Sequence, residues 1–515
     1  MKTRLVSLVL VCASMVAAIP ATAELTNEDL ILLGLMYRNR FVPVAEAAGA
    51  DPAWKAQAEE VAKLGRDADA EARYKAMIKA MALANLGGWG EPQEVATVFD
   101  MRLPAKLFQP GDTIGVRMAP VYDYHEHLSQ HYMVYLELRR TDGSGVSKAK
   151  PVHFHELEET TIELRVPQSA TPGAYRVAYR LEPHEDNATP YLEAARTIFV
   201  VENLEARLAV LADQKAAYEA EHAHHASARN GLAATTVDWF LDMYAQGQSE
   251  DVVGAYTGHP IFMHSMMVDA QMAIERMDFT NELGLAEDLA AGLVAGDDPL
   301  KSRTGDMRLA YVSPADGARV PFRIFVPDGY DSSRRYPLVL GLHGAGGDEN
   351  SFMDRYQGLF KKNAQDRGYI VASVNGRGPY GGYRGDSGRD VIDVLDMIEA
   401  TYPIDKSRVY VTGHSMGGMG TVLVGFDNAE RFAAMAPIAG FGAASQLKKG
   451  PEVPLFIGQG DADALVPVAS ARAFHEAAKA LEMTVKYVEL AGVEHVPIVD
   501  EVMDQVFDWF DAHTK

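Results

Sequence analysis

Apolar spacing along the chain changes three times. From Leu25 to about Trp89 the sequence is Ala-rich, and Tyr74, Met77, Ile78 and Met81 recur at i, i+3, i+4 and i+7. That spacing places them on one helical face, with Gly87-Gly88 as a stop. The stripe and Trp54 read as core rather than as a partner-binding hairpin. From about Val95 to Val201 the period is two. In Tyr175–Glu182 large apolar residues alternate with small or charged ones, and Ile162, Leu164 and Val166 alternate with Glu163 and Arg165. These are half-buried strands, separated by the turn signals Gln109-Pro110-Gly111-Asp112, Thr141-Asp142-Gly143 and Thr171-Pro172-Gly173. Helical spacing returns with Leu204, Leu208, Leu211 and Tyr218, followed by a Met-rich stretch around Met263–Met277 that reads as adaptable packing. In the last part short apolar runs at Leu338–Leu342, Ile370–Val374, Val409–Thr412 and Leu455–Ile457 alternate with helical patterns. This predicts a mostly parallel sheet covered on both faces. One of its helices carries Val391, Val394, Leu395, Ile398 and Tyr402 on the sheet side, with Asp390, Asp393, Asp396 and Glu399 expected on the solvent side.

A chain of 515 residues holds roughly three domains. The patterns divide it into a leader at 1–23, a helical region at 24–92, an antiparallel β-sandwich of immunoglobulin-like type at 93–202, a helical connector at 203–304 and an α/β domain at 305–515. With 48% apolar and 23% charged residues, disordered, collagen-like and multi-span membrane classes drop out. Acidic residues (71) outnumber basic ones (48), so the surface repels phosphate backbones and anionic lipid, and a nucleic-acid partner is not expected. Lys2 and Arg4, the apolar run Leu5–Ile19 and Ala21-Thr22-Ala23 form an export signal rather than a retained anchor. A periplasmic or secreted protein, with no membrane partner after cleavage, is expected. Val11 before Cys12 disfavours lipidation. Cys12 is the only cysteine, so the mature chain would have no disulfide, thiolate nucleophile or cysteine-bound metal.

Chemistry concentrates in Gly413-His414-Ser415-Met416-Gly417, which follows the strand Arg408–Thr412 and precedes a helix rich in small residues. This is G-x-S-x-G in its strand–turn–helix setting, where the tight turn demands glycine on both sides and exposes the serine hydroxyl at the carboxyl end of the sheet. A serine needs a base, and the base an orienting acid; in the fold that carries this strand–turn–helix elbow they follow in the chain order Ser, acid, His. Of the downstream histidines, His475 lies within a helical run and His513 near the end of the chain. His495 alone follows a strand-like run, Val485–Leu490, in a loop. Two aspartates, Asp461 and Asp463, compete for the acid, the first suited to capping the tight turn and the second to reaching the imidazole. Oxyanion donors are expected from the backbone N–H of Met416 and of Ala345, with Gly344 second, in His343–Gly347. His343 reads as a loop brace rather than a second base. In the loop Asn375–Gly388, Arg377, Tyr380, Tyr383 and Arg384 are candidate substrate contacts, against an equal reading as a Gly-rich surface loop whose arginines pair with carboxylates. His125/His127, His153/His155 and His222/His225 have paired spacing. With Ser129 where H-E-x-x-H needs histidine, no metal site is expected.

Arg319–Tyr330, Tyr336–Gly347, Arg408–Gly418 and Asp461–Pro467 together resemble the α/β-hydrolase superfamily. Within it they resemble most the secreted esterases of feruloyl esterase and polyhydroxybutyrate-depolymerase type, related to prolyl-oligopeptidase catalytic domains. The resemblance covers about 306–515. It implies an α/β-hydrolase fold there, and its pattern, an aspartate two residues before x-V-P, puts the acid at Asp463. Gln459, where the family often has histidine, and Val496, where an aromatic is common, depart from it. The alternating region of about a hundred residues is too short for the propeller of a prolyl oligopeptidase, and no lid-sized insertion precedes Val453.

The expected function is a serine hydrolase that cleaves carboxylic esters through an acyl-enzyme, needing no metal or organic cofactor and acting on a small-molecule or polymer ester. A serine peptidase on the same three residues is the alternative. A non-catalytic binding protein, its sandwich holding an unidentified ligand, comes third.

Overall fold

Alternation at period two and continuous apolar runs give two different kinds of sheet. The computed structural model describes residues 52–64, 69, 72–73, 76–77, 79–80, 99–120, 132–154, 160–183, 192–224, 231–247, 278–297, 299–378 and 381–515. The leader, Tyr74, Ile78, Met81, Gly87-Gly88, the His125/His127 pair, His155, His225, the Met-rich stretch and Tyr380 lie outside the described residues. The chain divides into two units, 1–206 with 241–281, and 207–240 with 282–515.

In the first unit helix α1 (Pro52–Lys63) buries Trp54. Its strands are β1 (Phe99–Arg102), β2 (Leu107–Phe108), β3 (Thr113–Pro120), β4 (Tyr132–Arg140), β5 (Gly145–Lys148), β6 (Val152–Phe154), β7 (Thr160–Arg165), β8 (Gly173–Pro183) and β9 (Leu192–Val200). They form a three-stranded sheet, β1-β3-β7, and a six-stranded sheet, β2-β9-β8-β4-β5 with β6 on β4. All pairings are antiparallel except β2 with β9. The period read from the sequence is the burial period. Strand β4 buries Tyr132, Val134, Leu136 and Leu138 and leaves the residues between them half exposed, while β3 and β7 bury Ile114, Val116, Met118, Ile162 and Leu164.

In the second unit, parts of α2 (Leu204–Glu221), α3 (Leu232–Gly247) and α4 (Phe279–Ala295) are tied together by polar bonds. Arg207 forks onto Glu287 at 2.7 Å on both oxygens, and Lys215 pairs with Asp238 at 3.0 Å. The Thr236 hydroxyl accepts the Ala310 N–H at 2.9 Å, which anchors α3 to the first strand of the large sheet.

That sheet runs β10 (Gly305–Val312), β11 (Arg319–Val326), β13, β12, β14, β15, β16, β17, with α5 (Leu359–Arg367), α6 (Asp386–Thr401), α7 (Met416–Asp427), α8 (Val468–Ala480) and α9 (Ile498–Asp511) between and after its strands. Strands β12 (Tyr336–Leu342), β13 (Ile370–Val374), β14 (Ile404–His414), β15 (Ala434–Ile438), β16 (Leu455–Gly460) and β17 (Val485–Leu490) are mutually parallel. The pairs β10–β11 and β11–β13 are antiparallel. β12, β13 and β15 are buried at every position because helices cover both faces, so no alternation survives in their sequences. Phe352, Phe360, Tyr369, Phe456, Val502, Phe507 and Phe510 belong to one core around β12, β13 and β15, with α9 buried at Ile498, Val499, Val502, Met503, Val506, Phe507 and Phe510.

One expectation fails on α6. Asp390, placed on the solvent face by its spacing, is fully buried and binds the Ser313 hydroxyl at 3.0 Å and the guanidinium of Arg377. It lies at the border of the apolar stripe, where a charged partner from the neighbouring loop draws it inward. Parallel register aligns Leu342 with Gly413, His414 with Ile438, Ile438 with Gly458 and Gly460 with Leu490. The loops that follow therefore emerge side by side at the carboxyl edge, where ligands bind in open α/β sheets.

Candidate active site

Ser415 caps α7 with φ 57° and ψ −115°, a conformation in which a non-glycine residue is strained. A Cβ on Gly413 would stand 2.2 Å from the Gly417 carbonyl oxygen, and one on Gly417 would stand 1.8 Å from that of Leu342. Strand, turn and helix approach so closely that only glycine fits at either side. The Ser415 N–H is bonded to the Ile438 carbonyl at 2.9 Å, fixing the turn to β15.

The structure brings Ser415, His495 and Asp463 into one line of hydrogen bonds. His495 Nδ1 lies 2.7 Å from Asp463 Oδ2, and Nε2 lies 2.8 Å from Ser415 Oγ. A carboxylate only accepts, so Nδ1 carries the proton and Nε2 presents its lone pair to the serine hydroxyl, which donates. Asp463 is held from four directions. Oδ1 accepts the Leu465 and Val466 N–H groups at 2.8 Å each, and Oδ2 accepts Gln459 Nε2 at 3.1 Å besides His495. Burial by itself would raise the Asp463 pKa, but the His495 bond and these N–H donors outweigh it and hold the carboxyl below its ordinary value. Asp461 is turned elsewhere, its Oδ1 accepting the Gly492 N–H at 2.6 Å on the exposed side. His475 sits in α8 stacked on Tyr487, and His513 Nδ1 bonds the Trp509 carbonyl at 2.7 Å.

Met416 is the first residue of α7, where backbone N–H groups have no acceptor within the helix. Opposite it the turn Gly344–Gly347 closes with a 3.0 Å bond, and a Cβ on Gly344 would lie 3.3 Å from Ser415 Cβ. The loop of Ala345 thus passes directly against the serine, and Ala345 is exposed. His343 is a brace, with Nδ1 2.9 Å from the Gly344 carbonyl and Nε2 accepting the Gly376 N–H at 3.0 Å.

In the loop after β13, Tyr383 and Arg377 are not placed as substrate contacts, and Arg377 follows the other reading of the loop, in which its arginines pair with carboxylates. Tyr383 is fully buried, its hydroxyl accepting the His343 N–H at 2.8 Å and donating to the Val374 carbonyl at 3.3 Å, so it supports the 343–347 loop and presents nothing to a substrate. Arg377 is taken up by Asp390, Asp316 and the Ser313 hydroxyl, which occupy every guanidinium nitrogen. These bonds raise its pKa and keep it off any ligand. Arg384 remains exposed, with its backbone N–H on Ser387 Oγ at 2.9 Å.

Three further residues at the site, Gln459, His414 and Tyr356, have no role assigned to them from the sequence. Gln459, a buried polar residue at the end of β16, donates Nε2 to Asp463, to the Gly460 carbonyl at 3.0 Å and to the Val466 carbonyl at 2.9 Å. All three neighbours accept, so the amide has one orientation. His414 Nε2 meets the His495 carbonyl at 2.8 Å, and Tyr356 Oη lies 3.2 Å from His414 Nδ1. A polar residue inside an otherwise apolar strand end is the available signal for Gln459. Tyr356 has none. Among the described residues no group of three metal-ligating side chains occurs, and no helix is long and apolar enough to cross a membrane.

The family model described as "Putative esterase" matches residues 313–485, which include Ser415 and Asp463 and stop short of His495. The chain is 28% identical over 182 residues to a "Probable feruloyl esterase C" of Aspergillus terreus, covering 34% of this chain and 62% of that protein. It is 31% identical over 151 residues to one of Aspergillus flavus, covering 28% and 54%. The chain thus spans about three-fifths of the first of these relatives and about half of the second. Among solved structures a thermostable esterase aligns with 80% of this chain and 98% of its own at 15% identity and a TM-score of 0.38. In sequence the C-terminal part of the chain resembles esterases.

Proposed function

We propose that residues 305–515 form a serine hydrolase that cleaves carboxylic esters through an acyl-enzyme. The observation that carries this reading is the Ser415–His495–Asp463 line, with bonds of 2.8 and 2.7 Å at the carboxyl edge of the sheet. Ser415 Oγ attacks the ester carbonyl while its proton passes to His495 Nε2. Asp463, kept ionised by its four donors, stabilises the imidazolium that results. The negative charge on the carbonyl oxygen falls to the N–H groups of Met416 and Ala345. Collapse expels the alcohol, which takes the proton from Nε2. Water then repeats the sequence on the acyl-serine and releases the acid.

The names of the relatives make feruloyl esters, and hydroxycinnamoyl esters more widely, the first substrates to test. We read the leader at 1–23 as an export signal, the two sheets of the first unit as one immunoglobulin-like sandwich with its own ligand, and 24–92 and 203–304 as helical regions flanking it. Turnover of nitrophenyl acetate and butyrate, hydroxycinnamoyl esters and peptide amides would be measured side by side for the wild type and Ser415→Ala. The expected result is ester turnover that falls by about 10⁴–10⁶-fold in the variant. Undiminished ester turnover by Ser415→Ala would refute the proposal, and preference for the amides would move it to a peptidase.

A further inference from the structure

His414 is part of the serine pentapeptide, and its ring is bonded at both nitrogens to groups other than Ser415. Nε2 faces the His495 carbonyl, an acceptor, so Nε2 must carry the proton. Nδ1 is then a bare acceptor, and the Tyr356 hydroxyl at 3.2 Å donates to it. The chain O–H to Nδ1, Nε2–H to O=C has only one consistent direction. All three residues are buried. Tyr356 is delivered by a strained turn: Tyr356, Gln357 and Gly358 follow one another at φ 54°, 53° and 70°, and two of the three have side chains. Backbone strain of this kind persists where surrounding structure fixes it, and here it aims one hydroxyl at one imidazole.

We propose that His414, held in its Nε2–H form by Tyr356, is a positioning residue that pins the main chain of His495 and thereby sets the imidazole against Ser415. The proposal rests on the esterase reading above for its kinetic consequences, though not for the bonding itself. Holding the carbonyl of the base fixes the root of a side chain whose other end must meet Ser415 Oγ, and displacement of a reacting group by about 1 Å can cost about 100-fold. Neutrality is part of the role. The rings of His414 and His495 lie 4.7 Å apart at their centroids, so a charged His414 would oppose the imidazolium that forms in catalysis. Burial first, and then the nearby His495, pull the His414 pKa down to about 3. The charged or titratable groups that face it are His495, Asp463, Arg355 and Tyr356, and Asp500 faces Tyr356.

Two measurements test this on the full chain. Nitrogen NMR of labelled wild type, with the His414 signal assigned by its loss in His414→Phe, is expected to show a neutral ring with Nε2 protonated from pH 8 down to pH 5. A ring that charges in that window, or is protonated at Nδ1, overturns the proposal whatever the enzyme hydrolyses. For ester turnover, Tyr356→Phe removes one oxygen and keeps the ring, and is expected to lower kcat about 3- to 10-fold with KM little changed. His414→Phe is expected to lower kcat about 10- to 100-fold. His414→Gln, whose amide N–H can still meet the His495 carbonyl, is expected to recover most of that loss at an unchanged melting temperature. Tyr356→Phe with wild-type kcat, or losses confined to KM, would overturn the positioning role. If the wild type cleaves no ester while the NMR result holds, the esterase reading fails and the bonding scheme stands.

Discussion

Asp463→Asn separates the two aspartates and tests the tautomer argument in one step. Two N–H groups point at Oδ1, so that atom has to stay an oxygen and the new amide nitrogen falls at the Oδ2 position. There it faces His495 Nδ1 across 2.7 Å and Gln459 Nε2 across 3.1 Å, with a donor toward each. Nδ1 can meet a donor only by giving up its proton, which moves to Nε2 and leaves Ser415 facing an N–H instead of a lone pair. In chymotrypsin-type triads the same change lowers kcat by about 10⁴, which at about 1.36 kcal/mol per decade is about 5 kcal/mol of transition-state stabilisation. The clash with Gln459 leaves one buried donor unmet and should cost about 1–3 kcal/mol of stability as well. Asp461→Asn is the control, because its Oδ1 continues to accept the Gly492 N–H. It should stay within about threefold of wild type. The assay is kcat for nitrophenyl butyrate, with thermal unfolding in parallel. If Asp463→Asn keeps more than a tenth of wild-type kcat, or Asp461→Asn loses as much as Asp463→Asn, the acid has been misassigned.

Acidity gives a further check on Asp463. Its pKa in the folded protein lies below the ordinary value, so its contribution to stability is present above the unfolded value near ~3.9 and is lost as pH falls through the folded value. The melting-temperature advantage of wild type over Asp463→Asn should be constant above about pH 5 and shrink below about pH 4; a gap that widens in acid contradicts the sign. Tyr383→Phe strands the buried His343 N–H, which should cost about 1–3 kcal/mol and, at about 2–4 °C per kcal/mol, show clearly in calorimetry. An unchanged melting temperature would mean that the bond does not matter. Arg377→Ala uncovers the buried Asp390 and should destabilise by about 3 kcal/mol while leaving KM alone, so a KM effect at unchanged stability would restore Arg377 as a substrate contact. Gly417→Ala would put a Cβ 1.8 Å from the Leu342 carbonyl oxygen, and it should yield no active protein; an active, stable variant would mean that the turn is looser than described.

Local patterns in the amino-acid sequence point to the residues that the fold brings together as Ser415, His495 and Asp463. Gly413 and Gly417 announce a turn that tolerates no Cβ, and the strand ahead of them says which edge of the sheet it occupies. His495 follows from the loop after Val485–Leu490, and the four short apolar runs lie in the strands β12, β13, β14 and β16. What stays hidden in the sequence is long-range and polar. Carboxylate partners for the arginines of the Gly-rich loop 375–388 are one of its two readings, but nothing nearby in sequence identifies them as Asp316 and Asp390 or says that the His343 N–H waits for a buried Tyr383. Asp390 misleads for the same reason, since helical spacing ranks faces by polarity and a buried ion pair inverts that ranking. Nor does the sequence distinguish the edge pair β10–β11 from the parallel strands, because direction is set by connections rather than by composition.

Strain offers an independent map of the same region. Of the eight non-glycine residues with positive φ among the described residues, six are Tyr356, Gln357, Arg377, Tyr383, Ser415 and Ala439. Ser415 is the proposed nucleophile, and Ala439 follows the residue whose carbonyl holds the Ser415 N–H. Tyr383 and Tyr356 support the 343–347 loop and His414, and Arg377 lies in the loop that Tyr383 closes. Each such residue costs on the order of 1–3 kcal/mol, so several together would unfold a marginal domain unless packing over-determined them. The all-buried strands β12, β13 and β15 and the aromatic core beneath them supply that constraint. A rigid sheet edge therefore holds a set of turns that would relax if freed. Core substitutions far from Ser415, such as Phe507→Ala at about 3–5 kcal/mol, should for this reason depress kcat at temperatures well below the loss of secondary structure.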